Sequence, residues 1–336
     1  MKVLLIKMSS LGDVIHTLPL AKVLKEHFSD NITIDWVINS EYLPLIENNG
    51  IVRNAIPFNR KDWLSLNGFF KTFKEIRGFA NRLKSEHYDV VLDVQGLLKS
   101  ALVVAMAGGR HNVGFSDARE GATLFYHTKI DVKNNMHAVE KNLLFLNFFN
   151  IGWNKEEIDF PVPLSAEDID FVDDLLKTQN IKGNFAIFCP FSRWETKMWA
   201  EERFHTLAKM LKDRGIPVLW TGSKTERLKM PAEIDLTGKL TLKQLYYLMK
   251  RARFVVTCDS GAMHLATASG TDIVAIFGPT SPLKTGPYNV KNQAVIIKRE
   301  DLPCAPCFGK TCNKGNVCLD ISPELVLKNI EEKILK

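Results

Sequence analysis

The stretch VLLIKMSSLGDVIHTLP, Val3 to Pro19, decides how the rest of the chain is read. Its aliphatic run predicts a strand from Val3 to Lys7 of the kind found in parallel sheets, where both faces are covered. Ser9, Ser10 and Gly12 then form a turn of small residues that enters a helix at about Asp13. Small residues let a ligand approach the backbone, and the free N–H groups at a helix start attract anions. An acid placed there is either a helix cap or a base. The turn lacks two of the glycines of G-x-G-x-x-G, so a nicotinamide enzyme is disfavoured.

Moving outward, short aliphatic runs alternate with helical patterns, which points to parallel sheets covered by helices. Further strands are predicted at Ile32–Ile38, Ala55–Phe58, Val90–Asp93 and Asn112–Phe115, then at Ala186–Cys189, Val218–Thr221, Phe254–Thr257 and Ile273–Phe277. With 336 residues, and roughly 100 to 200 per domain, two domains are expected. The expected division is residues 1–160, a linker region over 161–182, and 183–321; a last helix over 322–336 could join either domain, including by packing back on the first. Doubly wound domains bind ligands at the carboxyl ends of their strands, so the expected architecture is two Rossmann-like domains facing a central cleft.

The composition, 46% hydrophobic and 24% charged, is that of an ordinary globular protein. No apolar run approaches the roughly 18 residues of a membrane span, and Met1–Met8 lacks a signal-peptide cleavage site, so a cytoplasmic location is expected. The net charge of +6 is too small, without a recognised module, to suggest nucleic acid as a partner. It is unevenly spread: Arg53 to Lys84 holds eight basic residues against Asp62 and Glu75. Within this stretch FFKTFKEIRGFANRLK, Phe69 to Lys84, is an amphipathic basic helix, which either packs on a sheet with its charges outward or lies on an anionic membrane. Near the carboxyl end CAPCFGKTCNKGNVC brings together Cys304, Cys307, Cys312 and Cys318, whose spacing suits a structural zinc or iron–sulfur site, reduced thiols or facultative disulfides. No metal is expected for catalysis, and the cysteines have no evident link to it.

The opening block resembles that of the family 9 glycosyltransferases, the ADP-heptose:lipopolysaccharide heptosyltransferases, and within them the type I members. Similar blocks follow at YDVVLDVQGLLKSA (Tyr88–Ala101), DAREGATLFY (Asp117–Tyr126), HAVEKN (His137–Asn142), CDSGAMHLA (Cys258–Ala266) and FGPTSP (Phe277–Pro282). The resemblance implies a GT-B architecture, acceptor in the first domain, nucleotide sugar in the second, inversion at the anomeric carbon, and no cofactor beyond the donor ADP-heptose. It makes Asp13 the general base for the acceptor hydroxyl, with Ser10 and Lys7 in the same pocket. Arg60 and Lys61 resemble the family's basic pair for an acidic acceptor; Lys99, Arg119 and His137 join them, with Gln95 and Gly96 as weaker candidates.

On the donor side, Lys197 in PFSRWETKMW resembles the lysine that meets the pyrophosphate, although the loop runs one residue longer than the type I pattern and Phe191 stands where a hydroxyl residue is common. Ser192 is then the remaining hydroxyl. Glu226 matches an acid at the ribose and Leu240 an apolar cover for the adenine. Asp259, Ser260 and Gly261 open a helix whose N–H groups suit a departing diphosphate, with Asp259 toward a sugar hydroxyl and His264 one turn along. The implied reaction is heptose transfer from ADP-heptose to the Kdo of Kdo-lipid A, at the inner face of the cytoplasmic membrane. Two alternatives stand beside it: type II transfer to the first core heptose, at which the cysteine-rich tail hints, and a noncatalytic sugar-nucleotide or lipid A binding protein.

Overall fold

Among the described residues, twelve strands build two sheets of six. The computed structural model describes residues 1–58, 69–288 and 293–336, with the backbone alone for 69–73. The first sheet contains β1 (Lys2–Ile6), β2 (Thr33–Ile38), β3 (Val52–Pro57), β4 (Val90–Asp93), β5 (His111–Phe115) and β6 (Thr128–Ile130). The second contains β7 (Ala186–Cys189), β8 (Val218–Trp220), β9 (Ile234–Asp235), β10 (Phe254–Cys258), β11 (Asp272–Ile276) and β12 (Ala294–Ile297). Every pairing is parallel.

The strand orders are β3-β2-β1-β4-β5-β6 and β12-β11-β10-β7-β8-β9. Counted within its own sheet, the second order read backwards is also 3-2-1-4-5-6, so both are doubly wound Rossmann-like sheets. In such a sheet the chain reverses direction of travel between the first and fourth strands, and the loops there part to leave a crevice at the carboxyl ends. That places the switch points between β1 and β4 and between β7 and β10.

The inner strands are buried along their length, which is why they read as apolar runs: Val3–Ile6, Val90–Asp93, Ala186–Cys189 and Phe254–Cys258 are all inaccessible. Each fully buried Val, Leu or Ile contributes roughly 1.5–3 kcal/mol relative to exposure. Leu4, Ile6, Val91, Val104 and Tyr126 belong to one core, Phe188, Trp199, Phe204, Trp220 and Val256 to the other. Gly108 (φ 59°) and Gly270 (φ 76°) end the helices Leu98–Ala107 and Gly261–Ser269 in the left-handed conformation that a side chain would oppose.

The chain divides into two compact units, Met1–Pro163 and Leu164–Lys336. Most of the expected linker is therefore not a linker. Residues Ala166–Thr178 form a helix of the second unit, started by a capping box in which Ser165 Oγ accepts from Asp168 N (3.2 Å) and Asp168 Oδ2 from Ser165 N (3.2 Å). The last helix, Pro323–Lys333, belongs to the second unit, where Val326, Leu327 and Ile330 enter the core and its neighbours are the helix Glu201–Lys212 and β12. Among the described residues no helix is long and apolar enough to cross a membrane.

Candidate active site

At the first switch point β1 delivers Lys7, which is buried. Its Nζ donates to Val94 O beyond β4 (3.0 Å) and stands 3.7 Å from Asp13 Oδ1. Asp13 follows in the short helix Leu11–Ile15. Its Oδ2 accepts from Ser10 N (2.8 Å) and Ser10 Oγ (2.9 Å). The two oxygens of the carboxylate thus have different surroundings: Oδ2 is held by the helix cap and Oδ1 is turned toward Lys7. The Asp13 side chain is 45% exposed, so a reacting hydroxyl can reach it.

Other sequence blocks converge on this helix. Thr17 Oγ1 donates to Asp13 O (2.9 Å), and Asn142 Nδ2 donates to Thr17 Oγ1 (3.0 Å) and His16 O (3.1 Å). His137 caps the helix Ala138–Leu143, its Nδ1 accepting from Val139 N (3.2 Å), and its ring lies edge-on to His16 at 5.6 Å. From beyond β4, Gln95 Oε1 accepts from Met8 N and Ser9 N, both at 3.2 Å. Lys99 stands in the first turn of the helix after that loop. Arg119, after β5, is exposed while its backbone N–H donates to Gly96 O (3.0 Å). Ser10, Asp13, Lys99, Arg119 and His137 therefore all lie on or against the strand-end loops of this sheet. Arg60 and Lys61 lie outside the described residues.

In the second unit Lys197 ends the turn Glu195–Lys197 after β7. Its Nζ meets Asp259 Oδ2 at 2.7 Å and rides over the Trp194 ring at 4.6 Å. Thr280 Oγ1 donates to the same Asp259 oxygen (2.6 Å) and Ser192 Oγ to Asp259 O (3.1 Å). Asp259 Oδ2 is thus shared by two protein groups. Ser260 is the N-cap of the helix Gly261–Ser269, and its Oγ is buried with no hydrogen-bond partner among the described residues. His264 is buried one turn along. Phe191 fills the space over Gly222, where an added Cβ would stand 2.7 Å from its ring. That contact gives a packing reason for an aromatic residue at this place. Glu226 and Leu240 follow β8 and β9, the next strands out; Glu226 Oε2 accepts from Ser223 N (2.6 Å), and Leu240 is half-buried. A surface cavity of about 370 Å³ bounded by His205, Lys209, Val218 and Trp220 lies by the amino end of β8, away from these loops.

The cysteine-rich segment, which the sequence left unconnected to the site, backs the loops after β7 and β11. Thr196 Oγ1 donates to Gly309 O (2.8 Å), Phe308 N to Pro279 O (2.8 Å), and Lys310 Nζ lies 5.3 Å from the Trp194 ring centre. The structural metal site suggested by the spacing is not assembled: all six cysteines are free thiols, and among the described residues no three His, Cys, Asp or Glu form a group able to hold a metal. Cys318 is buried while Cys307 and Cys312 are exposed. Burial pushes the Cys318 thiol up, whereas N–H groups of Lys314 and Asn316 pull Cys312 down. Sequence reading had also missed Asp93, which ends a predicted strand, and Trp194, Thr280 and Lys310, which stand in the segments PFSRWETKMW, FGPTSP and CAPCFGKTCNKGNVC without a signal of their own.

The comparisons agree with this arrangement. The family model for glycosyltransferase family 9 (heptosyltransferase) matches residues 76–318. Lipopolysaccharide heptosyltransferase 1 of Pseudomonas aeruginosa is 33% identical over 324 residues, covering 93% of this chain and 87% of that one. Lipooligosaccharide heptosyltransferase 2 of Haemophilus influenzae is 26% identical over the full length of both. The structure of Escherichia coli heptosyltransferase WaaC with ADP-2-deoxy-2-fluoro heptose superimposes with a TM-score of 0.77 at 28% identity, covering 99% of each chain. With two parallel doubly wound sheets of the GT-B type, and relatives matched over nearly their whole length, the chain belongs to glycosyltransferase family 9, the heptosyltransferases.

Proposed function

We propose that this heptosyltransferase moves L-glycero-D-manno-heptose from ADP-heptose to the Kdo of Kdo-lipid A, with Asp13 as general base. The observation that carries the assignment is the split use of the Asp13 carboxylate, one oxygen held by Ser10 and the other turned toward Lys7 in an accessible loop. The acceptor oxygen attacks the anomeric carbon, its proton passes to Asp13, and the bond from that carbon to the diphosphate oxygen breaks with inversion. An aspartate of ordinary acidity is ionised at neutral pH, the form in which a carboxylate accepts a proton. Charge gathers on departing ADP, and Lys197, with the helix start at Ser260 and Gly261, offers the cationic and N–H partners for it. The chemistry asks for no further cofactor, because an ammonium and a helix start supply the neutralisation.

Ser192, Glu226, Leu240, Asp259 and His264 complete the donor site in this reading. Lys197 exchanges its Asp259 contact for the diphosphate when donor binds. Ser10, Arg60, Lys61, Lys99, Arg119 and His137 address the anionic acceptor. Transfer to Kdo is favoured over transfer to a core heptose by the higher identity to a type 1 relative than to a type 2 relative. ADP release with Kdo-lipid A and with its monoheptosylated form tests this; preference for the second acceptor would reverse the assignment.

The same reading places the enzyme in the cytoplasm, at the inner face of the cytoplasmic membrane. Leu98, Leu102 and Leu124 are exposed, Leu124 by 86%, on neighbouring elements of the first unit. The helix Phe69–Ser85, with Lys74, Arg77, Arg82 and Lys84 exposed, packs against Leu98–Ala107. Apolar side chains beside basic ones suit an anionic bilayer surface. Leu124→Ser should weaken sedimentation with anionic vesicles and leave transfer to a detergent-solubilised acceptor intact; unchanged vesicle binding counts against this face.

A further inference from the structure

Asp93, the last residue of β4, is fully buried, and among the described residues no cation is bonded to it. Four donors satisfy it instead: Gln95 N and Gly96 N on Oδ1, both at 3.0 Å, and Ser100 Oγ (2.8 Å) and Tyr126 OH (2.7 Å) on Oδ2. A buried carboxylate is costly unless its lone pairs are met, so this set of bonds fixes one conformation of the turn after β4.

That turn is tied to the first site at three points. Gln95 Oε1 accepts from Met8 N and Ser9 N, the two residues before Ser10 and its partner Asp13. Val94 O holds Lys7 Nζ, which faces Asp13. Gly96 O accepts the N–H of Arg119. Tyr126 reaches Asp93 across Gly114, where a Cβ would stand 2.2 Å from its ring.

We propose that Asp93 is a positioning residue for the transfer reaction: it locks the Gln95–Gly96 turn, and through Gln95 that turn holds the Met8–Ser9 backbone from which Asp13 is presented. The inference rests on the reading of Asp13 as the base. Small displacements of a reacting group are expensive, a shift of about 1 Å costing on the order of a hundredfold in rate.

Gln95→Ala removes the link without touching the buried carboxylate or the core. At saturating donor and acceptor it should lower kcat by about ten- to a hundredfold, with ADP-heptose affinity and melting temperature unchanged. Asp93→Ala should lower kcat to a similar or greater extent, and adding Gln95→Ala to it should cost little more, because both act along one path. Asp93→Asn should recover most of the loss, since its carbonyl can face Gln95 N and Gly96 N while its amide donates to the two hydroxyls, which also accept. In an Asp13→Asn background Gln95→Ala should have almost no effect, there being no base left to position. Full kcat in Gln95→Ala, or an undiminished Gln95→Ala effect in the Asp13→Asn background, overturns the proposal even if Asp93→Ala fails to fold. Normal kcat in Asp13→Asn alone removes the base assignment, and the positioning role falls with it.

Discussion

Replacing Asp13 by Asn separates chemistry from structure because the two roles sit on different oxygens. The Asn carbonyl can take the place of Oδ2 and keep both Ser10 contacts, now 2.8 and 2.9 Å. Its amide then stands where Oδ1 faces Lys7 at 3.7 Å, so a carboxylate is lost from beside a buried lysine whose Nζ keeps its bond to Val94 O. Exposed pairs contribute about 0–1 kcal/mol, and the burial of Lys7 puts the expected loss of stability at or somewhat above that range. The lost base is a larger effect: about a hundredfold to ten-thousandfold in kcat, equivalent to ~2.7–5.4 kcal/mol of barrier. The assay is single-turnover ADP release with enzyme in excess, so that product release cannot mask the chemical step, alongside a thermal melt and donor binding by calorimetry. A near-normal single-turnover rate in the folded variant would falsify the assignment and leave Asp13 as a cap alone.

Three further outcomes are expected. Lys197→Ala should weaken ADP binding by calorimetry and also lower the melting temperature, because it strands the buried Asp259 carboxylate at a cost of about 3–5 kcal/mol; Lys197→Ala with Asp259→Asn should regain stability without regaining affinity. Gly114→Ala should displace Tyr126 from Asp93 and reduce both stability, by about 1–3 kcal/mol in denaturant titration, and kcat; a neutral result would mean that the Tyr126 ring has room to move. Among the thiols Cys312 should alkylate first as pH is raised, since two N–H groups stabilise its thiolate and it is exposed, while Cys189 and Cys258, both pushed up to about 12 by burial, should react only on unfolding; peptide mass mapping gives the order.

The two switch points were readable because their loops combine small residues with the ends of long apolar runs, as in Ile6–Asp13 and Cys258–Gly261. Three of the four edge strands were not readable. β6, β9 and β12 are short, and an alternating run such as Ala294–Ile297, with Val295 and Ile297 buried and its neighbours exposed, gives too few periods to recognise. The helix Ala166–Thr178 was hidden by its acids: only Val172 and Leu176 are fully buried, a stripe one turn apart, although the cap signal of Ser165 and Asp168 was present. Pairings such as Lys197 with Asp259, or Asp93 with Tyr126, join residues from different strand ends, and no local pattern reports which acid a distant lysine or phenol will meet.

Three acids stand at the carboxyl ends of the inner strands, and their surroundings decide which can take a proton. Asp93 is sealed from solvent with four donors on its two oxygens, and burial pushes its carboxyl up, so a substrate hydroxyl cannot reach it. Asp259 is nearly as buried, and its Oδ2 is shared by Lys197 and Thr280; taking a proton there would break a 2.7 Å ion pair in a poorly solvated place. Asp13 alone of the three combines an accessible side chain with a cation facing it at 3.7 Å. A general base needs a lone pair that is present at neutral pH and reachable, whereas a leaving diphosphate needs fixed positive partners. The same sheet order supplies both kinds of site because it sets only where the loops part. What the loops carry, an accessible acid in one and a lysine with a helix start in the other, is what the proposed roles of base and diphosphate partner ask of them.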